Sequence, residues 1–284
     1  MKKPMVRWVR FTSSVLLAAC RVEVSLGVEA QGGAAPGLGG GQGGSSGTNG
    51  GSNAGVGGNA GVGGNGFRFA GFDANCNGLV LSGGATCRED RLLLDPGPDE
   101  NKGGAYLRCR VPFGAETAFE SRLVFIAEGE ADGLAFVVHA DARGPGTIGT
   151  AGGALGYGQL SEGYAVQFDN LDSGDPLGDR VEITDIETVR LAVAEAGILL
   201  DDGSPNFAWI SYDGSAKELS VRLSKIDSRP SSPLLSASID LASLDPQGAY
   251  VGLTAAYGAI SGLHSVLEWD MVFTGLAAPL DCVE

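Results

Sequence analysis

Carboxylates stand at two places where the surrounding sequence reads as buried strand. In "EADGLAFVVHADARG" (residues 130–144) an Asp-Gly pair at Asp132 precedes an apolar run, Leu134 to Val138. In "YAVQFDNLDSGDP" (residues 164–176) Asp169, Asp172 and Asp175 fall within seven residues. Ionised carboxylates so placed can accept hydrogen bonds from ligand hydroxyls, or supply hard oxygen ligands to a divalent cation. Each has a plainer alternative, because Asp-Gly is a common turn pair and an acidic run can be a solvated turn. His139 and His264 are the only histidines, and no Ser-His-Asp arrangement can be assembled around them. His264 reads as structural and His139 as a loop contact at the end of the Asp132 strand.

The elements that must position these acids are short. After Phe67, apolar segments such as "GLVLSG", "AYLRCRVPF", "SRLVFIAEG", "GLAFVVHA", "YAVQFDN", "FAWISYD" and "HSVLEWDMVFTG" recur between Gly, Pro, Asp and Asn. That spacing predicts an all-β sandwich of antiparallel sheets. Only "VRLAVAEAGILL" could pass as a helix.

Ahead of these strands the composition differs. The chain has 284 residues, 47 of them Gly, and half of residues 31–66 are Gly. The run "NAGVGGNAGVGGN" is a direct repeat without bulky side chains. Such a segment cannot offset its ordering entropy and reads as a flexible tether over residues 21–66. The first twenty residues, "MKKPMVRWVRFTSSVLLAAC", have a basic start, a short apolar stretch and small residues, the pattern of an export signal. "LLAAC" resembles a bacterial lipobox, with Cys20 as the lipidated residue. The expectation is an exported protein, lipid-anchored in the bacterial envelope at the outer membrane or cell surface. It would meet the membrane only through that lipid. The net charge of −15 repels phosphate backbones and excludes nucleic acid as a natural partner.

Apart from Cys20 there are four cysteines, Cys76, Cys87, Cys109 and Cys282, with no CxxC spacing. An even number in an exported domain implies two disulfides with three connectivities. Cys76 and Cys87 flank "NGLVLSGGAT", a reversal of chain direction, so the expected pairs are Cys76–Cys87 and Cys109–Cys282.

Four segments in order carry a family likeness: "GLVLSGGA", "ADGLAFVVH", "GGALGYG" with "AVQFDN", and "YVGLTAAYGAISGLHSVLEWDMVF". Residues 67–284 thereby resemble the L-type (legume-type) lectins. The resemblance implies a concanavalin-like jelly roll and a glycan ligand. It implies sugar contacts at Asp132, the Gly153 amide, Ser173 (where the family has Asn), Ala259 and Ile260. It also implies a calcium site formed by Asp169, the Leu171 carbonyl, Asp172, Ser173 and Asp175, holding a cis peptide between Ala131 and Asp132. The family's second, transition-metal site is expected to be absent. Gln167 stands where the family has an acid and Arg180 where it has a His, and a guanidinium cannot ligate a metal. Leu171 replaces an aromatic that often stacks on the sugar.

Three functions compete. One is a carbohydrate-binding domain, with the oligomeric state open. The second is a structural or adhesion domain that kept the fold and lost sugar binding. The third is a jelly-roll glycosidase, suggested by "EITDIE" (residues 182–187). Retaining hydrolysis needs carboxyls about 5–5.5 Å apart. Glu182 and Asp185 face opposite sides of a regular strand, while Asp185 and Glu187 share a face. No catalytic residue is assigned, and the chain is not expected to be an enzyme.

Overall fold

Among the described residues there are sixteen strands and two single turns of 3-10 helix. The structure is a computed structural model; it describes residues 61–63, 65–95, 97, 101–171, 178–276, 280 and 282. In chain order the strands are β1 (Gly61–Gly63), β2 (Gly66–Phe69), β3 (Leu79–Gly83), β4 (Thr86–Arg88), β5 (Arg91–Leu93), β6 (Lys102–Leu107), β7 (Ala118–Glu128) and β8 (Gly133–His139). There follow β9 (Gly163–Asp169), β10 (Arg180–Asp185), β11 (Arg190–Glu195), β12 (Asn206–Asp213), β13 (Glu218–Ser224), β14 (Leu235–Ser238), β15 (Tyr250–Ala256) and β16 (Leu263–Thr274).

Two antiparallel sheets result. The seven-stranded sheet has the order β11-β10-β9-β8-β15-β6-β3. The nine-stranded sheet runs β1-β2-β16-β7-β12-β13-β14, with β5 also paired to β16 and β4 to β5. The expected all-β jelly roll is therefore formed. The "VRLAVAEAGILL" segment supplies edge strand β11 rather than a helix. Leu191 and Val193 alternate with Ala192 and Ala194, which suits a pleated edge. β1 lies inside the stretch read as a tether and pairs with β2, Val62 opposite Phe67.

Period-two alternation explains how β8 can be buried on both faces. Leu134, Phe136 and Val138 point into the core between the sheets, with Phe168 of β9, Phe119 and Phe125 of β7 and Trp269 of β16. The Phe125 and Phe168 rings are 5.0 Å apart, and those of Phe119 and Phe136 5.9 Å. Burying one such side chain contributes roughly 1.5–3 kcal/mol. Ala135 and Val137 point the other way, into a second, smaller core with Tyr106, Leu155, Tyr157, Leu160, Ala165 and Ile186. The glycine-rich segment between β8 and β9 thus folds back over the outer face of the seven-stranded sheet. Glycine permits this at Gly149, where a Cβ would meet the Gly158 carbonyl oxygen at 2.1 Å.

Both expected disulfides are present. Cys76 joins Cys87 with a Cα–Cα distance of 5.7 Å, and Cys109 joins Cys282 at 4.7 Å. The first closes a short loop onto β4, worth about 2–3 kcal/mol by chain entropy.

Candidate functional site

The register of β8 and β9 builds the site. Gly133 lies opposite Asp169, so Asp132 and Asp169 come to the same end of the seven-stranded sheet. Close approach is required there: a Cβ on Gly133 would sit 2.2 Å from the Phe168 carbonyl oxygen. Asn170 then ties the two strand ends together. Its N–H donates to the Asp132 carbonyl at 3.3 Å, and its Nδ2 donates to the Gly129 carbonyl at 2.9 Å.

Asp132 is buried to 6 % exposure, yet among the described residues only one of its carboxylate oxygens accepts a hydrogen bond. Oδ1 accepts the Gly258 N–H at 2.7 Å. Oδ2 accepts no hydrogen bond from the described residues and faces glycine backbone. A methyl group at Gly258 would lie 3.4 Å from Oδ1; one at Gly152 or Gly153 would lie 3.5 or 3.9 Å from Oδ2. Three glycines without side chains therefore lie against the carboxylate, and Oδ2 accepts no hydrogen bond from the described residues. Such an oxygen accepts from a hydroxyl with a charge-assisted hydrogen bond.

The expected contacts are partly rearranged. Gly153 does lie beside Asp132, in the single turn Gly152–Ala154. Ala259 and Ile260 are exposed in the loop between β15 and β16, Ile260 at 48 %. In that loop the residue bonded to Asp132 is Gly258, one position earlier. The Ala131–Asp132 peptide is trans, as are all described peptides, so the expected cis bond is not formed. Ser173, Asp172 and Asp175 lie outside the described residues, as does Cys20.

Of the implied metal set only Asp169 and Leu171 are described, and the Asp169 carboxylate already faces a cation. Asp169 Oδ2 accepts from Arg180 Nη2 at 2.6 Å, and Oδ1 accepts the Leu171 N–H at 3.0 Å. The cation in contact with this carboxylate is thus a guanidinium. Burial pushes the Asp169 carboxyl up to about 6, against the pull of Arg180, so it is ionised above that pH. Gln167 also serves a different purpose from a ligand. Its Nε2 donates to the Tyr157 hydroxyl, which lies 2.7 Å from Thr184 Oγ1.

Two of the three carboxylates of the "EITDIE" segment are engaged within the chain. Glu182 is buried and held by Arg180 Nε at 2.7 Å and by Arg190 at 2.7 and 2.8 Å. Asp185 Oδ1 accepts the N–H groups of Glu187 and Val189, capping the turn after β10. Asp185 and Glu187 both line a shallow surface cavity with Tyr164 and Ser243, but Asp185 Oδ1 is committed to the turn and Glu187 is exposed.

His264 is structural, as expected: its Nδ1 lies 2.6 Å from Asp95 Oδ2 and its Nε2 3.4 Å from Asn170 Oδ1, all buried. His139 does touch the loop that follows β8, its Nδ1 accepting the Asp141 N–H, but it is a core residue. It is fully buried between the rings of Tyr106 and Tyr250, at 4.7 and 5.5 Å. Sequence reasoning passed over Asp95, Asn170, Gly152 and Gly258. Asn170 and the two glycines stand inside the segments already quoted; Asp95 does not.

The legume lectin domain model matches residues 65–282. The chain belongs to this family. Among curated relatives, it is 35% identical over 148 residues to the L-type lectin-domain containing receptor kinase VIII.2 of Arabidopsis thaliana, covering 49% of this chain and 20% of that protein. It is 27% identical over 249 residues to the receptor kinase SIT2 of Oryza sativa subsp. japonica, covering 76% and 36%. The chain thus spans well under half the length of these relatives. Among solved structures, basic winged bean lectin with Tn-antigen has a TM-score of 0.64 at 24% identity, over 75% of this chain and 99% of that one. The lectin from Bauhinia forficata in complex with GalNAc has 0.61 at 22%, over 74% and 97%. These lectins share the fold, and the legume lectin assignment rests on the family model.

Proposed function

We propose that this legume lectin domain binds carbohydrate through Asp132, with a pair of neighbouring sugar hydroxyls as the recognised group. The observation that carries the reading is the division of labour within one carboxylate. Oδ1 is fixed by the Gly258 N–H, and Oδ2 is left to a ligand in a slot walled by Gly152, Gly153 and Gly258. Fixing one oxygen orients the other before the sugar arrives, which lowers the ordering cost of binding. Ser173, Ala259 and Ile260 would line the rim. The sugar complexes named for the neighbouring lectins support a glycan as the ligand class. No reaction is assigned: Glu182 is held by two arginines, and Asp185 Oδ1 caps the turn after β10. Calcium has no step in this reading.

The domain would work outside the cell. Two disulfides fit an oxidising compartment. The basic, apolar start and "LLAAC" support export with a lipid on Cys20, in the manner of a bacterial lipoprotein, and residues 21–66 would hold the lectin away from the membrane. Fractionation of a Cys20→Ser variant tests the anchor: release from membranes is expected, and retention overturns it.

A glycan array probed with the wild type and with Asp132→Ala tests the binding reading. Wild-type signal that the variant loses is the expected result. A folded wild type that binds no glycan would favour an adhesion domain without sugar binding. Release of reducing ends from a bound polysaccharide would make the protein a glycosidase instead.

A further inference from the structure

We infer that Arg180 is a built-in cation that replaces the metal ions of this fold, so that the Asp132 corner is organised without a divalent ion. The inference extends the glycan reading to the support beneath its site. Its readouts are metal content and melting temperature, which need no sugar, so the two readings can fail separately.

The argument begins with the register of β9 and β10. Arg180 lies opposite Asp169, and Glu182 opposite Gln167. Val166, Phe168, Val181 and Ile183 face the core between the sheets. By alternation Gln167, Asp169, Arg180, Glu182 and Thr184 share the outer face, and all five are buried. A buried set of carboxylates needs positive charge among it, since an unpaired buried charge is costly. Here a side chain supplies that charge. The Arg180 guanidinium spans both acids, donating from Nη2 to Asp169 at 2.6 Å and from Nε to Glu182 at 2.7 Å. Arg190 closes the other side of Glu182 with two further bonds.

A divalent ion on Asp169 would stand beside this guanidinium, in a site where water screens little. Two cations at that separation repel strongly, and Arg180 has no neutral form to adopt. Gln167 completes the substitution. It is a neutral amide where an anionic ligand would be needed, and it donates to Tyr157 rather than accepting. Charge is conserved in kind: fixed carboxylates are met by a fixed cation instead of a bound one.

The connection to the sugar slot is short. Asp169 is followed by Asn170, whose N–H and side chain hold the Asp132 and Gly129 carbonyls. Pinning Asp169 through Arg180 therefore pins the end of β9 against which Asp132 is placed. A metal would do the same work, but would make it depend on ion supply.

The test uses the full chain, purified and stripped with EDTA, then given Ca²⁺ or Mn²⁺. Metal content is read by elemental analysis and stability by thermal melting. The expected result is no stoichiometric metal and a melting temperature unchanged by chelator or by either ion. An ion that binds the folded chain would raise it by roughly 3–6 °C for each tenfold excess over its Kd. Such a rise, or a stoichiometric ion that survives purification, would overturn the inference. A second arm restores ligand chemistry with the double variant Gln167→Glu, Arg180→His. It should melt lower than the wild type without ions and regain stability with Mn²⁺ or Ca²⁺. A folded double variant that melts like the wild type and ignores both ions would overturn Arg180 as the cation of this site. Should the double variant not fold, the wild-type measurement decides alone.

Discussion

The two ends of β8 each carry a buried aspartate, and they are put to opposite uses. Asp132, just before the strand, gives one oxygen to Gly258 and keeps the other facing glycine backbone. Asp141, two residues past the strand, has no capacity left over. It accepts from the backbone N–H groups of Arg143 and Ser161 and from the Arg143 guanidinium at 2.8 and 2.5 Å. Those bonds hold its carboxyl well below the usual carboxylate range. Beside it His139 is also closed in, its Nδ1 accepting the Asp141 N–H at 3.1 Å. The strand and its burial are shared. On the proposed reading, what separates the ligand-binding acid from the structural one is how many of its lone pairs the chain itself consumes.

The largest expected effect falls on the open end. Asp132→Ala removes the charged acceptor for ligand hydroxyls, and hydrogen bonds to charged groups are worth about 1.5–3 kcal/mol each. Loss of two such bonds predicts at least ~100-fold weaker glycan binding by titration calorimetry, with a smaller loss of melting temperature from the Gly258 N–H bond that goes with it. Asp141→Ala should do the reverse, and equal loss of binding in both variants would erase the distinction between the ends.

Next comes the pH response of the closed end. Burial lowers the His139 imidazole to about 4, with Asp141 pulling the other way. In the unfolded chain it protonates near 6.5. Between these values the unfolded state holds a proton that the folded state does not, so stability falls as pH drops from about 6.5 to about 4. The full shift corresponds to about 3 kcal/mol. Asp169, raised to about 6, contributes with the opposite sign over part of the same window. Urea unfolding of wild type and His139→Gln at matched pH therefore isolates the histidine: the gap between them should narrow as pH falls to 4. A gap that stays constant would place His139 in a more solvated setting.

Asp141→Ala itself leaves the Arg143 and Ser161 N–H groups without an acceptor. A cost of about 1–3 kcal/mol is expected in the urea midpoint. Arg143 is 60% exposed at its side chain, so its ion pair adds little to that figure. The smallest effect is expected at Gly258→Ala, where the new methyl would lie 3.4–3.6 Å from Asp132 and Gly152. That is ordinary contact, so stability should hold. The slot narrows, however, and glycan affinity should fall by a few-fold rather than by orders of magnitude. Stronger binding by Gly258→Ala would show that the slot is wider than its ligand.

Much of this molecule was legible along the chain. Alternating apolar residues between turn formers fixed an all-β sandwich, because the pleat has a period of two and one face of each strand must be buried. The flanked reversal at Cys76 and Cys87 marked one disulfide, and the remaining pair followed. The order of the four segments pointed to the legume lectin family and to Asp132 with its glycine loop. Arg180 was visible as a departure, a cation where a ligand was expected. Tertiary structure alone decided what that cation does, since its bonds to Asp169 and Glu182 depend on the pairing of β9 with β10. It also decided that Gly258, 126 residues from Asp132, is the donor that holds the carboxylate, and that His139 is a core residue. Local patterning states which faces are apolar. Which polar group meets which is a matter of register and of loops folding over a sheet, and nothing local in the sequence encodes a partner so far away.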